Sequence, residues 1–313
     1  MFPKRTILIF PLCMLSLNAA AVTPAPIALE LLASSTFIEV NGKARFAPNE
    51  VVVEVLKQNV DGTHVMGAVT EVIPSDVHGA PTMRLFFAHQ EQGAWKIGME
   101  GSQAFDTALE SMPLDVVSQD ERPTLALLGQ DSEVLAPGQF LNFSLPWAKN
   151  RIWNLVAGPH ANGVLPFPYS SVDFSSGPEI NDVRSVAAGL IYTTCVKDGS
   201  ALVTIVHDNG YKTSYYRMKQ LVTYNEGSRL PVGSTLGSVG DKLPCGGTPS
   251  EPHLHFTLLN DKNENVSLNN VVLGGWTFHS GLLPNTGNAT HGKATVTPPD
   301  GLMLNLGPDN EGM

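Results

Sequence analysis

Ala201-Leu-Val-Thr-Ile-Val-His207, Asp208-Asn209-Gly210 and Tyr211-Lys-Thr-Ser-Tyr-Tyr-Arg217 follow one another without a gap. Two stretches rich in β-branched and aromatic residues flank an Asn-Gly pair. That pair reads as a tight hairpin turn, because both residues tolerate the positive φ it requires. On either side the same texture continues. Gly227, Gly233, Gly237 and Gly240 punctuate further short strands, and Leu254 to Leu259 forms another. Short strands at this spacing predict a mainly β fold with an antiparallel β-sandwich at its centre. The sequence shows no internal repeat.

Upstream, Glu50-Val-Val-Val-Glu-Val55, Thr82-Met-Arg-Leu-Phe-Phe87 and Trp95-Lys-Ile-Gly-Met99 read as strands, and Ser102 to Ser111 as a short helix. They form a smaller α+β unit over residues 22–114. Its His64, His78 and His89 stand among polar residues and read as surface histidines. Residues 115–144 carry Arg122-Pro123, Gly129-Gln130 and Pro137-Gly138, a polar and punctuated composition expected of a linker. The β domain then spans 145–283. Residues 284–313, rich in Asn, Gly and Pro, read as a loosely ordered tail.

Lys4 and Arg5 precede an apolar run from Ile7 to Leu17, and Ala19-Ala20-Ala21 offers a cleavage site. Residues 1–21 therefore read as a secretory signal peptide, with an apolar run too short to span a bilayer. Cys13 lies inside it, which leaves Cys195 and Cys245. In an exported chain these two are expected to form a disulfide. The rival reading makes them metal ligands, but the histidines below offer a better-spaced set. Net charge is −10. Residues 22–146 hold 16 acidic and 6 basic residues, so the acidity belongs to the first half. Neither half has the basic stripe of a nucleic-acid binder, and neither nucleic acid nor membrane is an expected partner.

The chemistry lies in two separated fragments, His160…Asp173 and His253-Leu254-His255. Successive residues of a strand point to opposite faces, so His253 and His255 share one. A metal held by His160, Asp173 and one histidine of the pair would leave the other imidazole free beside it. Two histidines and a carboxylate with an open fourth position belong to a hydrolytic zinc site, not a structural one. Such a zinc brings the pKa of its water to about 7, and an imidazole titrates in the range suited to proton transfer. The sequence has no H-E-x-x-H helix, no G-x-S-x-G elbow and no nucleophilic cysteine, so water is the expected nucleophile. Each fragment alone has a bland reading. His160 sits in a turn-rich loop, Asp173 follows two serines, and a His-x-His arises by chance. Asp261-Lys-Asn-Glu-Asn265 begins like a calcium loop but continues with Val266 where glycine is needed and reaches Val272 where glutamate is needed.

Together these residues resemble the lysostaphin-type zinc endopeptidases, closest to the staphylolysin (LasA-like) and beta-lytic subgroup. The resemblance runs from about Leu145 to Ser280. Its carriers are Leu145-Pro-Trp147, Gly158-Pro-His-Ala-Asn162, Pro168-Tyr-Ser-Ser-Val-Asp173, Asn209-Gly-Tyr211, Tyr215-Tyr216, the two cysteines and Pro252-His-Leu-His-Phe256. The spacing of 13 between His160 and Asp173 matches this subgroup, whereas other branches place that pair four apart.

The resemblance implies one zinc ion per chain, held by His160, Asp173 and His255, with His253 as the catalytic imidazole. It implies a monomeric, secreted enzyme hydrolysing Gly-Gly or D-Ala-Gly bonds of peptidoglycan cross-bridges or other glycine-rich peptides. The first unit would be a propeptide shed by a processing protease, with cleavage between Asp131 and Leu145. One departure stands out: Arg217 follows Tyr215-Tyr216 where the family carries a second catalytic histidine. An arginine is no general base but donates hydrogen bonds to an oxyanion, and Tyr216 is a second candidate catalytic residue. A second reading keeps the scaffold and drops the catalysis: a silent cell-wall binding or activator module.

Overall fold

The computed structural model describes residues 51–130, 141–163, 166–176 and 181–308. The expected signal peptide and the proposed cleavage stretch up to residue 140 lie outside the described residues. In chain order the first strands are β1 Val51–Gln58, β2 His64–Glu71, β3 Met83–Glu91 and β4 Ala94–Met99, followed by helices α1 Gln103–Ser111 and α2 Arg122–Leu125. Next come β5 Ile152–His160, β6 Ser171–Ser175, β7 Asp182–Arg184, β8 Gly189–Lys197, β9 Ser200–His207 and β10 Lys212–Tyr216. Then follow β11 Met218–Lys219, β12 Arg229–Leu230, β13 Thr235–Val239 and β14 Leu254–Leu259. The last are β15 Val272–Leu273, β16 Trp276–His279, β17 Asn288–His291, β18 Ala294–Val296 and β19 Gly301–Leu304.

The central sheet runs β12-β8-β9-β10-β14-β6-β5-β19, and every pairing in it is antiparallel. The β9–β10 hairpin turns at Asp208-Asn209-Gly210, where Gly210 has φ 84° and Asn209 Oδ1 accepts from Tyr211 N–H. One face of the sheet presents Ile191, Val203, Ile205, Tyr215, Leu254, Phe256 and Phe174 to a buried core. The smaller sheets β11-β13-β7 and β15-β16-β17-β18 cover that core with Leu236, Val239, Trp276 and Phe278. This is the expected antiparallel sandwich.

The opposite face is also covered. Leu190, Tyr192, Leu202, Val206 and Tyr216 point away from the first core. They share a second core with Met66, Ala68, Leu85 and Phe87 of the sheet β1-β2-β3-β4, and with Phe105 and Leu109 of α1. Helix α1 forms because Ser102 caps it, its Oγ accepting from Phe105 N–H at 3.2 Å, and because Phe105, Ala108 and Leu109 fall on one side. Pro113 follows its C-cap, Met112, and cannot continue the helix. The molecule thus has three layers, with the central sheet in the middle.

Two sequence expectations are corrected here. Residues 115–130 are not a solvated linker, since Val116, Val117, Leu125 and Leu128 are buried in the second core. Residues 284–308 are not loosely ordered, since β17 and β18 complete a sheet and β19 pairs with β5, burying Ala289, Val296 and Met303. In both stretches tertiary packing supplies what local periodicity lacks. The two cysteines do pair: Cys195–Cys245 joins the end of β8 to the loop before β14, with a Cα–Cα distance of 5.7 Å. Among the described residues no helix is long and apolar enough to cross a membrane.

Candidate metal centre

Register places the site. Tyr216, His255, Asp173 and Ala157 form one cross-strand row over β10, β14, β6 and β5, so their side chains leave the sheet on the same face. His160 would miss that face in a regular strand. Two register shifts in β5, between Leu155 and Ala157 and between Ala157 and His160, bring it opposite Ser171, two residues from Asp173. A bulge re-aims the residues beyond it. Gly158-Pro159 in mid-strand is its sequence signal. Gly158 is required there, since a Cβ would lie 2.6 Å from the Gly287 carbonyl oxygen.

His160, Asp173 and His255 each offer one ligand atom, all within 4.8 Å of one another. His160 Nε2 is 3.6 Å from Asp173 Oδ1, and His255 Nδ1 is 2.9 Å from the same oxygen. The far nitrogen of each ring is already engaged. His160 Nδ1 lies 2.8 Å from the Gly158 carbonyl, which only accepts, so Nδ1 carries the proton and Nε2 is free. For His255 the tautomer is set by Asn162. Ala80 N–H donates to Asn162 Oδ1 at 3.0 Å, which fixes that atom as oxygen, and His255 Nε2 lies 3.2 Å from it. His255 Nε2 must therefore be the donor, leaving the Nδ1 lone pair turned toward Asp173 and His160. Two imidazoles with outer nitrogens held by oxygen acceptors, and one carboxylate, are a donor set that fits zinc.

His253 completes the group. Its Nδ1 lies 2.7 Å from the Glu251 carbonyl and so carries the proton, while Nε2 faces Asp173 Oδ2 at 3.5 Å. Burial lowers the His253 pKa, with Asp173 opposing the shift, and burial pushes His255 down to about 4. Both rings are thus neutral at neutral pH, as a ligand and a general base require. Burial alone would raise the Asp173 carboxyl, but the surrounding His160 and His255 hold it well below the usual carboxylate range.

These residues line a groove of about 720 Å³ that also takes in Arg217, Phe167, His78 and residues 282–285. Phe167 and Leu283 are well exposed on its rim, and Leu282 is fully so. Arg217 has φ 63°, an unusual backbone for a side chain with a Cβ, which breaks the alternation of β10 and accompanies its turn into the groove. Its Nη2 donates to the Thr248 carbonyl at 2.8 Å, while Nε and Nη1 have no partner among the described residues although the residue is 2% exposed. Tyr216 stands apart from the groove lining. Its hydroxyl donates to the Gly246 carbonyl and accepts from Cys245 N–H, both at 2.9 Å, and so holds the loop that carries the disulfide.

Sequence reasoning passed over two members of the site. Asn162 was visible only as part of a motif, and its role needs the fold. His78, expected to be a plain surface histidine, is exposed but lines the groove. His64 and His89 pair across β2 and β3 with ring centroids 5.9 Å apart, outside the groove.

A His–Asp–His donor set on an antiparallel sheet, with a free imidazole beside it, is the arrangement a mononuclear metallopeptidase requires. Residues 168–267 match the model of peptidase family M23. Protease LasA from Pseudomonas aeruginosa PAO1 is 30% identical over 161 residues, covering 49% of this chain and 37% of that protein; the protein of strain UCBPP-PA14 matches equally. The chain therefore spans well under half the length of these curated relatives. Among solved structures, the M23 metalloprotease pseudoalterin from the deep sea is 28% identical, with a TM-score of 0.43, covering 50% of this chain and 94% of that one. Lysostaphin from Staphylococcus simulans is 14% identical with a TM-score of 0.28, covering 50% and 81%.

Proposed function

We propose that this protein is an exported zinc metalloendopeptidase that cleaves peptide bonds in bacterial peptidoglycan, with Gly-Gly or D-Ala-Gly bonds of the cross-bridges as its preferred sites. The observation that carries this reading is the convergence of His160 Nε2, an Asp173 oxygen and His255 Nδ1 within 4.8 Å, with His253 Nε2 beside them. Zinc bound there would supply a nucleophilic water at neutral pH and polarise the scissile carbonyl. His253 Nε2 takes the proton from the attacking water and returns it to the leaving amine, while Glu251 holds the ring through Nδ1–H. Arg217 offers two guanidinium nitrogens without partners to the oxygen that becomes negative as the carbonyl is attacked. Its charge, unlike that of a histidine, is fixed, so it stabilises without taking part in proton transfer.

The match of residues 168–267 to peptidase family M23 supports a peptide substrate. Protease LasA, similar over 161 residues, is a protease by its name. The signal-like residues 1–21 support export. The test is release of new amino termini from purified peptidoglycan and from pentaglycine by the zinc-loaded full chain, with and without a chelator. Chelator-sensitive release is the expected result. A folded, zinc-loaded protein that releases nothing from either substrate would replace this reading with that of a silent wall-binding module.

A further inference from the structure

The zinc site and the N-terminal layer occupy the same face of the central sheet. That layer lies over β8, β9 and β10, and the groove over β14, β6 and β5. Where they meet, residues 73–80 reach the site by two routes. Ile73 N–H donates to the Cys245 carbonyl, Gly247 N–H to the Ile73 carbonyl and Thr248 N–H to the Val77 carbonyl, at 2.9, 3.0 and 3.1 Å. This lays the 245–248 loop against the N-terminal layer, and the Thr248 carbonyl is the one that holds Arg217. The second route is Ala80 N–H to Asn162 Oδ1, the oxygen that accepts from His255. Gly79 makes that approach possible, since it has φ 145° and a Cβ would lie 2.4 Å from Gly163 N.

We propose that residues 51–130 are a standing part of the catalytic site: they hold His255 in its metal-binding tautomer through Asn162, and they stay on the sheet after any cut between Gln130 and Leu141. This reverses the expectation of a shed propeptide, and it rests on the zinc-site reading above. The interface has the make-up of a permanent core. Leu190, Tyr192, Leu202, Val206 and Tyr216 are all fully buried, and departure of the layer would expose them as one contiguous apolar patch. The ion pair between Lys212 on β10 and Glu100 after β4 is completely buried in the same interface.

The experiment uses the full chain with a protease recognition sequence placed between Gln130 and Leu141. After cutting, gel filtration should return both pieces in one peak, with zinc affinity unchanged in a competitive chelator titration. In the uncut chain, Asn162→Leu and Gly79→Ala should each weaken zinc binding about tenfold or more, as loss of an outer-shell partner does. Asn162→Asp keeps the acceptor oxygen and should stay within about threefold of the parent. A slowly exchanging His255 Nε2–H resonance should be present in the parent and in Asn162→Asp and absent from Asn162→Leu. Separation of the pieces in native buffer, or unaltered zinc affinity in both Asn162→Leu and Gly79→Ala, would overturn the proposal. A parent chain that binds no zinc would instead sink the zinc-site reading, which the chelator titration alone reveals.

Discussion

His253 and His255 stand two residues apart on one face, yet their ring nitrogens give them different work. His255 turns Nδ1 to Asp173 and gives Nε2–H to Asn162, whereas His253 gives Nδ1–H to Glu251 and keeps Nε2 free. Replacing His255 by alanine should abolish stoichiometric zinc binding in a chelator titration. His253→Ala should retain the metal and lose about 10²–10⁴ in kcat, the usual contribution of a general acid–base group. Zinc retained by the first variant would overturn the ligand assignment. Arg217 makes a third test. A buried cation with unpaired nitrogens at a left-handed backbone position opposes folding, so Arg217→Met should leave thermal stability unchanged or raised. If the guanidinium meets the oxyanion, the same variant should lose about 10²–10³ in kcat. A variant that loses stability while keeping its activity would show the arginine to be structural.

Strands and their irregularities explain how much of this was legible beforehand. The His-x-His parity in β14 and the Asn-Gly turn were readable from period and turn chemistry alone. So was the disulfide, from the signal-like first residues and the cysteine count. The bulges in β5 that bring His160 to the face of Asp173 were signalled only by Gly158-Pro159, which does not say which way the residue after them turns. The unbroken run in β9 is itself such a signal. All eight of its residues are buried, and a strand covered on both faces reads as continuous rather than alternating. Its last residue tests this double burial. His207 donates to and accepts from its neighbours, with Nδ1 3.0 Å from the Ala188 carbonyl and Nε2 2.7 Å from Thr213 Oγ1. Burial pushes its pKa from 6.5 down to about 4. Above pH 6.5 the ring is neutral in both states. As pH falls, the unfolded chain takes up a proton that the folded one refuses, so stability is lost through the window down to about 4. Full loss amounts to about 3 kcal/mol. Urea midpoints measured across that window should fall more gently for His207→Gln than for the parent, and equal slopes would mean that His207 does not set them.

At the scale of the molecule, the central sheet is shared by two cores, and the buried pair of Lys212 and Glu100 ties the N-terminal layer to it. Burial lowers the Lys212 pKa, opposed by Glu100, which is the electrostatic cost of placing a charge there. Glu100 also accepts from Leu85 N–H through Oε2 at 2.9 Å, so its carboxylate spans the join between β3 and the sheet beneath. A buried ion pair is worth little against an apolar replacement, but half of one is costly because the remaining charge has no solvent. Lys212→Met should therefore destabilise the full chain by about 3–5 kcal/mol. The Lys212→Met/Glu100→Gln double variant, which keeps an acceptor for Leu85 and removes both charges, should recover most of that loss. Denaturation of the four proteins of this cycle measures the coupling directly. Strong coupling would mean that the two layers are matched in charge as well as in shape, so that neither half of the interface is complete without the other. Additive losses would leave the attachment to the apolar contact of Leu202, Val206 and Tyr216 and to the backbone hydrogen bonds of residues 73–80, and would predict that the cut protein comes apart at lower denaturant than the intact chain unfolds.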